Sequence, residues 1–408
     1  MVNKKKIIND PVYGFLSIAY EIIFDLIEHR YFQRLRYIQQ LGLSSLVYPG
    51  ALHTRFHHAL GATHLMKQAI DVLMAKDVDI SPQEAKAVTI AILLHDIGHG
   101  PFSHALEHSL VNVGHETLSL LFMNKLNEEF EGKLSLAIQI FKGEHPKNYL
   151  HELVSSQLDM DRLDYLNRDS FFTGVQEGVI GFDRIIKMLD VRNNHLMVEY
   201  KGIYSIEQFL IARRLMYWQV YLHKTVLCAE VLLLKVLQRA KELTKNGETL
   251  FAPPALQLFL QNDFGLNDFE NNLMVFEAFA SLGDAEIIAS IKTWQQHPDV
   301  VLSKLSQSLI NRKLFKIHLT QEPVNPEKLQ QLLQKAIQQY HLTPHEAAYF
   351  VFNNSTSNSA YSYEGSQINI LYRNGVVKNV VEASDYSNLQ SLAAPVVKYY
   401  LCYPKELD

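Results

Sequence analysis

The residues best suited to chemistry lie in three stretches. Arg55-Phe56-His57-His58 comes first. Leu94-His95-Asp96-Ile97-Gly98-His99-Gly100-Pro101-Phe102-Ser103-His104 follows, and Asp161-Arg162-Leu163-Asp164-Tyr165 lies well downstream. Imidazole nitrogens beside carboxylate oxygens make a mixed donor set, which suits a divalent, water-activating ion better than a structural zinc cage. One helical histidine is ordinarily a packed or surface residue, but eleven of the 18 histidines fall between His53 and His151, with a His-Asp pair among them. His58, His95, Asp96 and Asp161 form a spaced ligand set of this kind, drawn from three separate helices. Adjacent helical residues point about 100° apart. His95 and Asp96 can therefore reach one ion only at a helix end, where Gly98 and Gly100 open the backbone. Such a site accepts Mn, Fe, Mg, Ni, Co or Zn.

The elements that must carry these groups read as helical from about Phe15 to Leu237. Ser81-Pro82-Gln83-Glu84 supplies a capping hydroxyl, a first-turn proline and an acid, so it launches a helix that runs to His95-Asp96 and breaks at Gly98, Gly100 and Pro101. Leu35, Ile38 and Leu41 read as the end of another helix with Gly42 as its C-cap, and Ile206–Arg239 as one long helix. After about Lys313 the pattern changes. Leu314–Leu319 alternates like a strand, Pro326–Tyr340 reads as a helix, and Ala348–Phe352, Ile368–Tyr372 and Val396–Tyr403 read as strands. The run of Asn and Ser from Asn353 to Ser359 predicts a loop, and Arg373-Asn374-Gly375-Val376 a hairpin turn. The expected fold is mainly α: a helical catalytic body over 1–240, a helical extension over 241–312 and a small α+β C-terminal domain over 313–408.

Composition narrows the classes. Of 408 residues, 48% are hydrophobic and 20% charged, with a net charge of −5, so any polyanion must be held by a local cluster of Lys and Arg rather than by the whole surface. Nucleic acid is a weaker expectation for the same reason. Cys228 and Cys402 are too few for a disulfide framework and read as buried thiols in a reducing compartment. The mostly apolar run Ala87–Leu94 is too short to span a bilayer, and the N-terminus has no signal-peptide pattern. A cytoplasmic protein is expected.

At this point the chain resembles the HD-domain phosphohydrolases, and within them the deoxynucleoside triphosphate triphosphohydrolases. The resemblance is carried by Phe32 to Gly42, Tyr48 to Gly61, His95 to His104, His115-Glu116-Thr117, Asp159 to Asp169 and Tyr221-Leu222-His223-Lys224, in that order. It implies a helical body of the HD type with His58, His95, Asp96 and Asp161 as metal ligands. It implies Arg55, His99, His104 and His115 around a triphosphate, with Glu107 paired to His115. Arg162, Tyr165 and Arg213 would contact phosphate and sugar, Asp169 the 3′-hydroxyl, and Tyr221 would pack under the deoxyribose. Gln40 and Leu41 would line the sugar and base pocket. Lys6, Asn9 and Arg36 match elements that bind activating nucleotides at subunit interfaces, and Glu28 a guanine-reading acid, so a homo-oligomer, dimer or tetramer, is expected. Two departures stand out: His57 replaces an acidic residue common in relatives, and Tyr13 replaces a histidine.

The implied roles make physical sense. A triphosphate needs several cations, which Arg55, Arg162, Arg213 and Lys224 would provide, while His99, His104 and His115 can gain charge near phosphate. His115 held by Glu107 is the expected general acid, and His99 would stabilise developing charge. The expected reaction is attack at the α-phosphorus, releasing a deoxynucleoside and tripolyphosphate. Two alternatives stay open: an HD-type phosphatase or phosphodiesterase acting on another nucleotide, and a nucleotide-sensing regulator.

Overall fold

The computed structural model describes residues 6–102, 107, 109–359, 361, 367–386, 389 and 394–408. The chain opens with a small antiparallel hairpin, β1 (Ile7–Asp10) and β2 (Gly14–Ser17). Its turn is tied by Asp10, whose Oδ1 accepts the Val12 and Tyr13 N–H groups at 2.9 and 3.0 Å. Gly14 completes it with φ +76°.

Three helices then build the heart of the body. Arg55–Ala75 packs against both Pro82–Leu94 and Met160–Thr173. Pro82–Leu94 starts as its sequence predicts, with Ser81 N–H donating to Glu84 Oε2 at 2.8 Å and Glu84 N–H to Ser81 Oγ at 3.3 Å. From Val88 to Leu94 every residue of that helix is buried, so it forms the central rod of the core. Thr54 and His57 close the capping box of Arg55–Ala75, the Thr54 N–H donating to His57 Nδ1 at 3.2 Å. The unusual histidine at 57 is thus a helix cap.

The stretch before it departs from expectation. The helix Arg30–Gln33 passes into a tight 3₁₀ turn, Arg34–Tyr37, and ends there rather than at Gly42. Ile38 to Gln40 is drawn out straight because it pairs with 53–55: the Gln40 N–H donates to the His53 carbonyl and the Arg55 N–H to the Ile38 carbonyl, both at 3.0 Å. Gly42, at φ +47°, opens a second 3₁₀ turn.

Beyond the central helices, β3 (Leu189–Arg192) and β4 (His195–Glu199) form a hairpin whose two turn residues, Asn193 and Asn194, both adopt positive φ. The expected long helix over 206–239 is two helices, Ile203–Met216 and Lys224–Lys245, separated by a π-helical turn over Tyr217–Tyr221. That bulge swings Tyr221 inward, where its hydroxyl donates to Asp169 Oδ2 at 2.7 Å. A tertiary bond of this kind leaves no periodic trace in the sequence.

In the C-terminal region β5 (Lys316–Thr320), β6 (Phe352–Asn358) and β9 (Val396–Tyr403) form an antiparallel sheet in the order β5-β9-β6. The helix Pro326–Tyr340 has its expected limits. The Asn/Ser run is not a loop but β6, an edge strand whose polar side chains face water while its backbone pairs with β9. Ala348–Phe352, expected as a strand, is mostly the turn that follows the short helix Pro344–Ala347. The turn at Arg373–Gly375 joins β7 (Asn369–Leu371) to β8 (Val377–Asn379), with Gly375 at φ +81°. β7 pairs in parallel with β4, giving a four-stranded sheet β3-β4-β7-β8 that body and C-terminal region share. Residue 240 falls inside the Lys224–Lys245 helix. Cys228 and Cys402 are buried free thiols. No helix among the described residues is long and apolar enough to cross a membrane.

Candidate metal centre

His58 sits one turn into Arg55–Ala75, His95 caps the end of Pro82–Leu94, and Asp161 lies in the first turn of Met160–Thr173. One donor atom from each falls within 4.8 Å of the other two. Asp161 Oδ1 is 3.1 Å from His58 Nε2 and 3.4 Å from His95 Nε2, and the two Nε2 atoms are 3.4 Å apart. Asp96 lies beside this trio. Its Oδ1 is 3.4 Å from His95 Nε2 and its Oδ2 3.8 Å from His58 Nε2, while Arg55 bonds the same carboxylate.

The set fits a divalent ion on three observations. Carboxylates and carbonyls only accept, so His58 Nδ1 must donate to Asp164 Oδ2 (2.7 Å) and His95 Nδ1 to the Ile92 carbonyl (2.6 Å). Both rings can then present an Nε2 lone pair to the same point, the arrangement that outer partners of metal-bound histidines impose. The charges agree as well. Asp10, Asp96, Asp159, Asp161 and Asp164 bring five negative charges, and Arg55, Arg162 and Arg168, which pair with them, bring three positive. The remaining two negative charges match a divalent cation. Finally, burial opposes a charged His58, yet its bonds to Asp161 and Asp164 push it up to about 10. Burial also opposes the Asp161 anion, but His58 and His95 hold that carboxyl below the usual range. The pocket draws positive charge to Nε2, where proton and metal ion compete.

Close packing holds the helices in place. The Ser119 hydroxyl donates to the orphan carbonyl of His95 at 2.8 Å and accepts the Gly98 N–H at 2.9 Å. A Cβ at Gly98 would lie 2.2 Å from Ser119 N, so only glycine lets the helix His115–Glu129 approach this closely. At Gly61 an added Cβ would lie 2.0 Å from Asp164 Oδ1 and 2.1 Å from Arg168 Nη2. Gly61→Ala is therefore expected to destabilise the fold by about 1–3 kcal/mol and to weaken divalent-ion binding. Denaturant midpoints and a Mn²⁺ titration check this.

The other expected residues divide into groups. His99 and His115 stack with centroids 4.0 Å apart, and Glu107 accepts from His115 through the backbone N–H (3.0 Å) and Nδ1 (3.2 Å). His99 Nε2 is 3.3 Å from Asp96 Oδ1, which joins this pair to the metal corner. An apolar recess bounded by Leu110, Val111 and Phe279 opens beside them. His104 lies outside the described residues. Tyr165 stands 6.5 Å from the His58 ring and 6.1 Å from Tyr221, and Tyr217 continues this row of tyrosines at 5.1 Å from Tyr221. Burial holds the Tyr165 and Tyr221 hydroxyls protonated. Arg162 bonds the buried N-cap Asp159. Arg213 has Nε and Nη1 buried without a hydrogen-bond partner among the described residues.

Asp169 receives His53 Nε2 at 2.7 Å as well as Tyr221. Gln40 Oε1 is also buried without a partner among the described residues, and Leu41 beside it packs partly on the core. Lys6, Asn9, Glu28 and Arg36 are exposed. Lys6 Nζ covers the Phe24 ring at 3.1 Å, and Arg36 covers Phe56 at 3.6 Å.

Residue-type reasoning alone misses several supports. Arg34 is buried and donates from Nη1 to the carbonyls of Ile97 and His99 at 2.9 and 2.8 Å, clamping the loop after the His-Asp pair. Burial lowers it to about 9. Asp284 accepts the N–H groups of Gln39 and Phe102 at 2.8 and 2.9 Å, tying the two strips that flank the site. Burial raises it to about 6. Neither has a local signal, because their partners lie far away in sequence. His53 falls in the histidine cluster, and Asp164 and Arg168 in the Asp159–Asp169 stretch, but their sequence surroundings assign none of the three a role.

Two buried imidazoles and a half-buried carboxylate where three helices meet, bordered by arginines, have the architecture of a helical metal-dependent hydrolase. Residues 55–169 match the HD domain model, and 180–252 that of the HD associated region. A crystal structure of a phosphohydrolase from Bacteroides thetaiotaomicron superposes with a TM-score of 0.95 at 54% identity, over 98% of this chain and 100% of that one. The uncharacterized protein YwfO of Bacillus subtilis is 29% identical over 100% of this chain and 94% of its own length. A Dictyostelium discoideum protein named deoxynucleoside triphosphate triphosphohydrolase SAMHD1 homolog is 32% identical over 61% of this chain, a match spanning 52% of that protein. The chain belongs to the HD-domain phosphohydrolases, a metal-dependent family.

Proposed function

We propose that the protein hydrolyses deoxynucleoside triphosphates at the α-phosphorus, releasing a deoxynucleoside and tripolyphosphate. The observation that carries this reading is Arg213, whose buried Nε and Nη1 have no protein partner among the described residues, near Arg162 and Tyr165. Buried guanidinium nitrogens call for an anion. Both arginines act on Tyr165, whose ring stands 6.5 Å from that of His58, which suits a polyphosphate that runs from the metal corner toward the tyrosines. Likeness to proteins named deoxynucleoside triphosphate triphosphohydrolase supports the same substrate class.

His58, His95 and Asp161 would hold the divalent ion, with Asp96 at its edge. When bound, such an ion polarises a phosphoryl oxygen and lowers the pKa of a coordinated water. Arg55, Arg162 and Arg213 orient the phosphates. Glu107 keeps the His115 Nδ1 proton in place, so Nε2 can donate a proton to the leaving oxygen. His99, stacked on His115, would stabilise charge as it develops. The Tyr221 ring would close the space a 2′-hydroxyl needs, and Asp169 would orient the 3′-hydroxyl. Lys6, Asn9, Glu28 and Arg36 would meet an effector nucleotide between subunits of a dimer or tetramer.

The test is incubation with each dNTP and rNTP plus Mn²⁺ or Mg²⁺, with products separated by anion exchange. Tripolyphosphate from the deoxy substrates is expected. Orthophosphate or pyrophosphate would assign the same centre to another phosphoester.

A further inference from the structure

Asp164 and Arg168 are wholly buried, yet both are charged groups. Arg168 grips Asp164 side-on, with Nε 2.9 Å from Oδ2 and Nη2 3.1 Å from Oδ1. Its Nη1 donates to Asp10 Oδ2 at 2.8 Å. Asp10 Oδ1 holds the hairpin turn through Val12 and Tyr13, while Asp164 Oδ2 receives the His58 Nδ1 proton. An unbroken run of bonds, buried from Asp10 inward, therefore joins the β1–β2 turn to the imidazole of His58.

Stability alone does not explain such a run, since well-packed apolar residues often serve a core as well as buried ion pairs do. What the run supplies is direction. Asp164 fixes the tautomer and ring angle of His58, Arg168 fixes both oxygens of Asp164, and Asp10 fixes the outer end of Arg168. The hairpin that carries Asp10 is short and partly solvated, with Ile7 62% and Phe15 72% exposed. Elements with few buried apolar contacts open at low free energy.

We propose that Asp10, Arg168 and Asp164 are positioning residues through which the seating of the N-terminal hairpin sets the affinity of the His58 site for its divalent ion. The inference rests on His58 being a metal ligand. Because binding linkage is reciprocal, the ion must in turn stabilise the hairpin.

The test uses the full chain and Mn²⁺ alone. Calorimetric titration of Asp10→Asn, a near-isosteric change, is expected to show about tenfold weaker Mn²⁺ binding, the lower end of outer-partner effects, with an unchanged far-UV spectrum. Independently of any variant, Mn²⁺ is expected to slow hydrogen exchange severalfold at the Val12 and Tyr13 amides. Wild-type affinity in Asp10→Asn, or no slowing at those amides, overturns the coupling. With His58→Ala unable to bind Mn²⁺, that failure leaves the metal site standing. Should His58→Ala bind Mn²⁺ like the wild type, the ligand reading and the coupling fall together.

Discussion

Asp161→Ala is expected to remove divalent-ion binding and to bring phosphohydrolase turnover to background while the far-UV circular dichroism stays that of the wild type. The carboxylate is the one anion among three converging donors, 3.1 and 3.4 Å from the two histidine nitrogens. Without it the space between His58 and His95 keeps only Asp96 at its edge, 3.4 and 3.8 Å from the two Nε2 atoms and already bonded by Arg55. Metal assistance contributes several kcal/mol to a phosphoryl transition state, and each 1.4 kcal/mol is about tenfold in rate, so a loss of at least about 10²-fold is expected. The fold should survive because the helix cap is Asp159, whose Oδ1 accepts the Arg162 N–H at 2.7 Å. Mn²⁺ calorimetry beside a product assay checks both halves. Turnover retained in this variant would remove Asp161 from the centre.

Arg168→Met should be the most destabilising of the changes considered. It keeps roughly the bulk of the side chain and removes the cation that two carboxylates share at full burial. Breaking a buried ion pair from one side typically costs about 3–5 kcal/mol, because the partner charge remains in a low-dielectric interior. A urea titration read by tryptophan fluorescence should show the midpoint fall accordingly. An unfolding free energy within about 0.5 kcal/mol of the wild type, the range of ordinary surface substitutions, would mean that Asp10 and Asp164 are far better solvated than their burial implies.

How much of this was legible in the chain depends on where the determining partner lies. The helix Pro326–Tyr340 and the strand Val396–Tyr403 have the limits their periodicity predicts, since capping and alternation are written locally. The break at Tyr217–Tyr221 was hidden, because it is tied to a bond between Tyr221 and Asp169, 52 positions away. Strand β6 was hidden for another reason: an edge strand needs only backbone pairing on one side, so its Asn and Ser residues mimic a loop. In the site, residue type and spacing picked out His58, His95 and Asp161. They gave no view of Arg34 or Asp284, which act on backbone groups, and every backbone looks alike in a sequence.

The sheet shared by the two ends of the chain bears on how the molecule comes to be made. β4 needs β7 as its parallel neighbour, Val198 opposite Ile370, yet a ribosome delivers the first strand long before the second. Until then one side of β4 has no mate, and pairings between such remote segments form slowly. During synthesis the nascent body therefore carries an open seam, the kind of surface that invites misassembly or a chaperone.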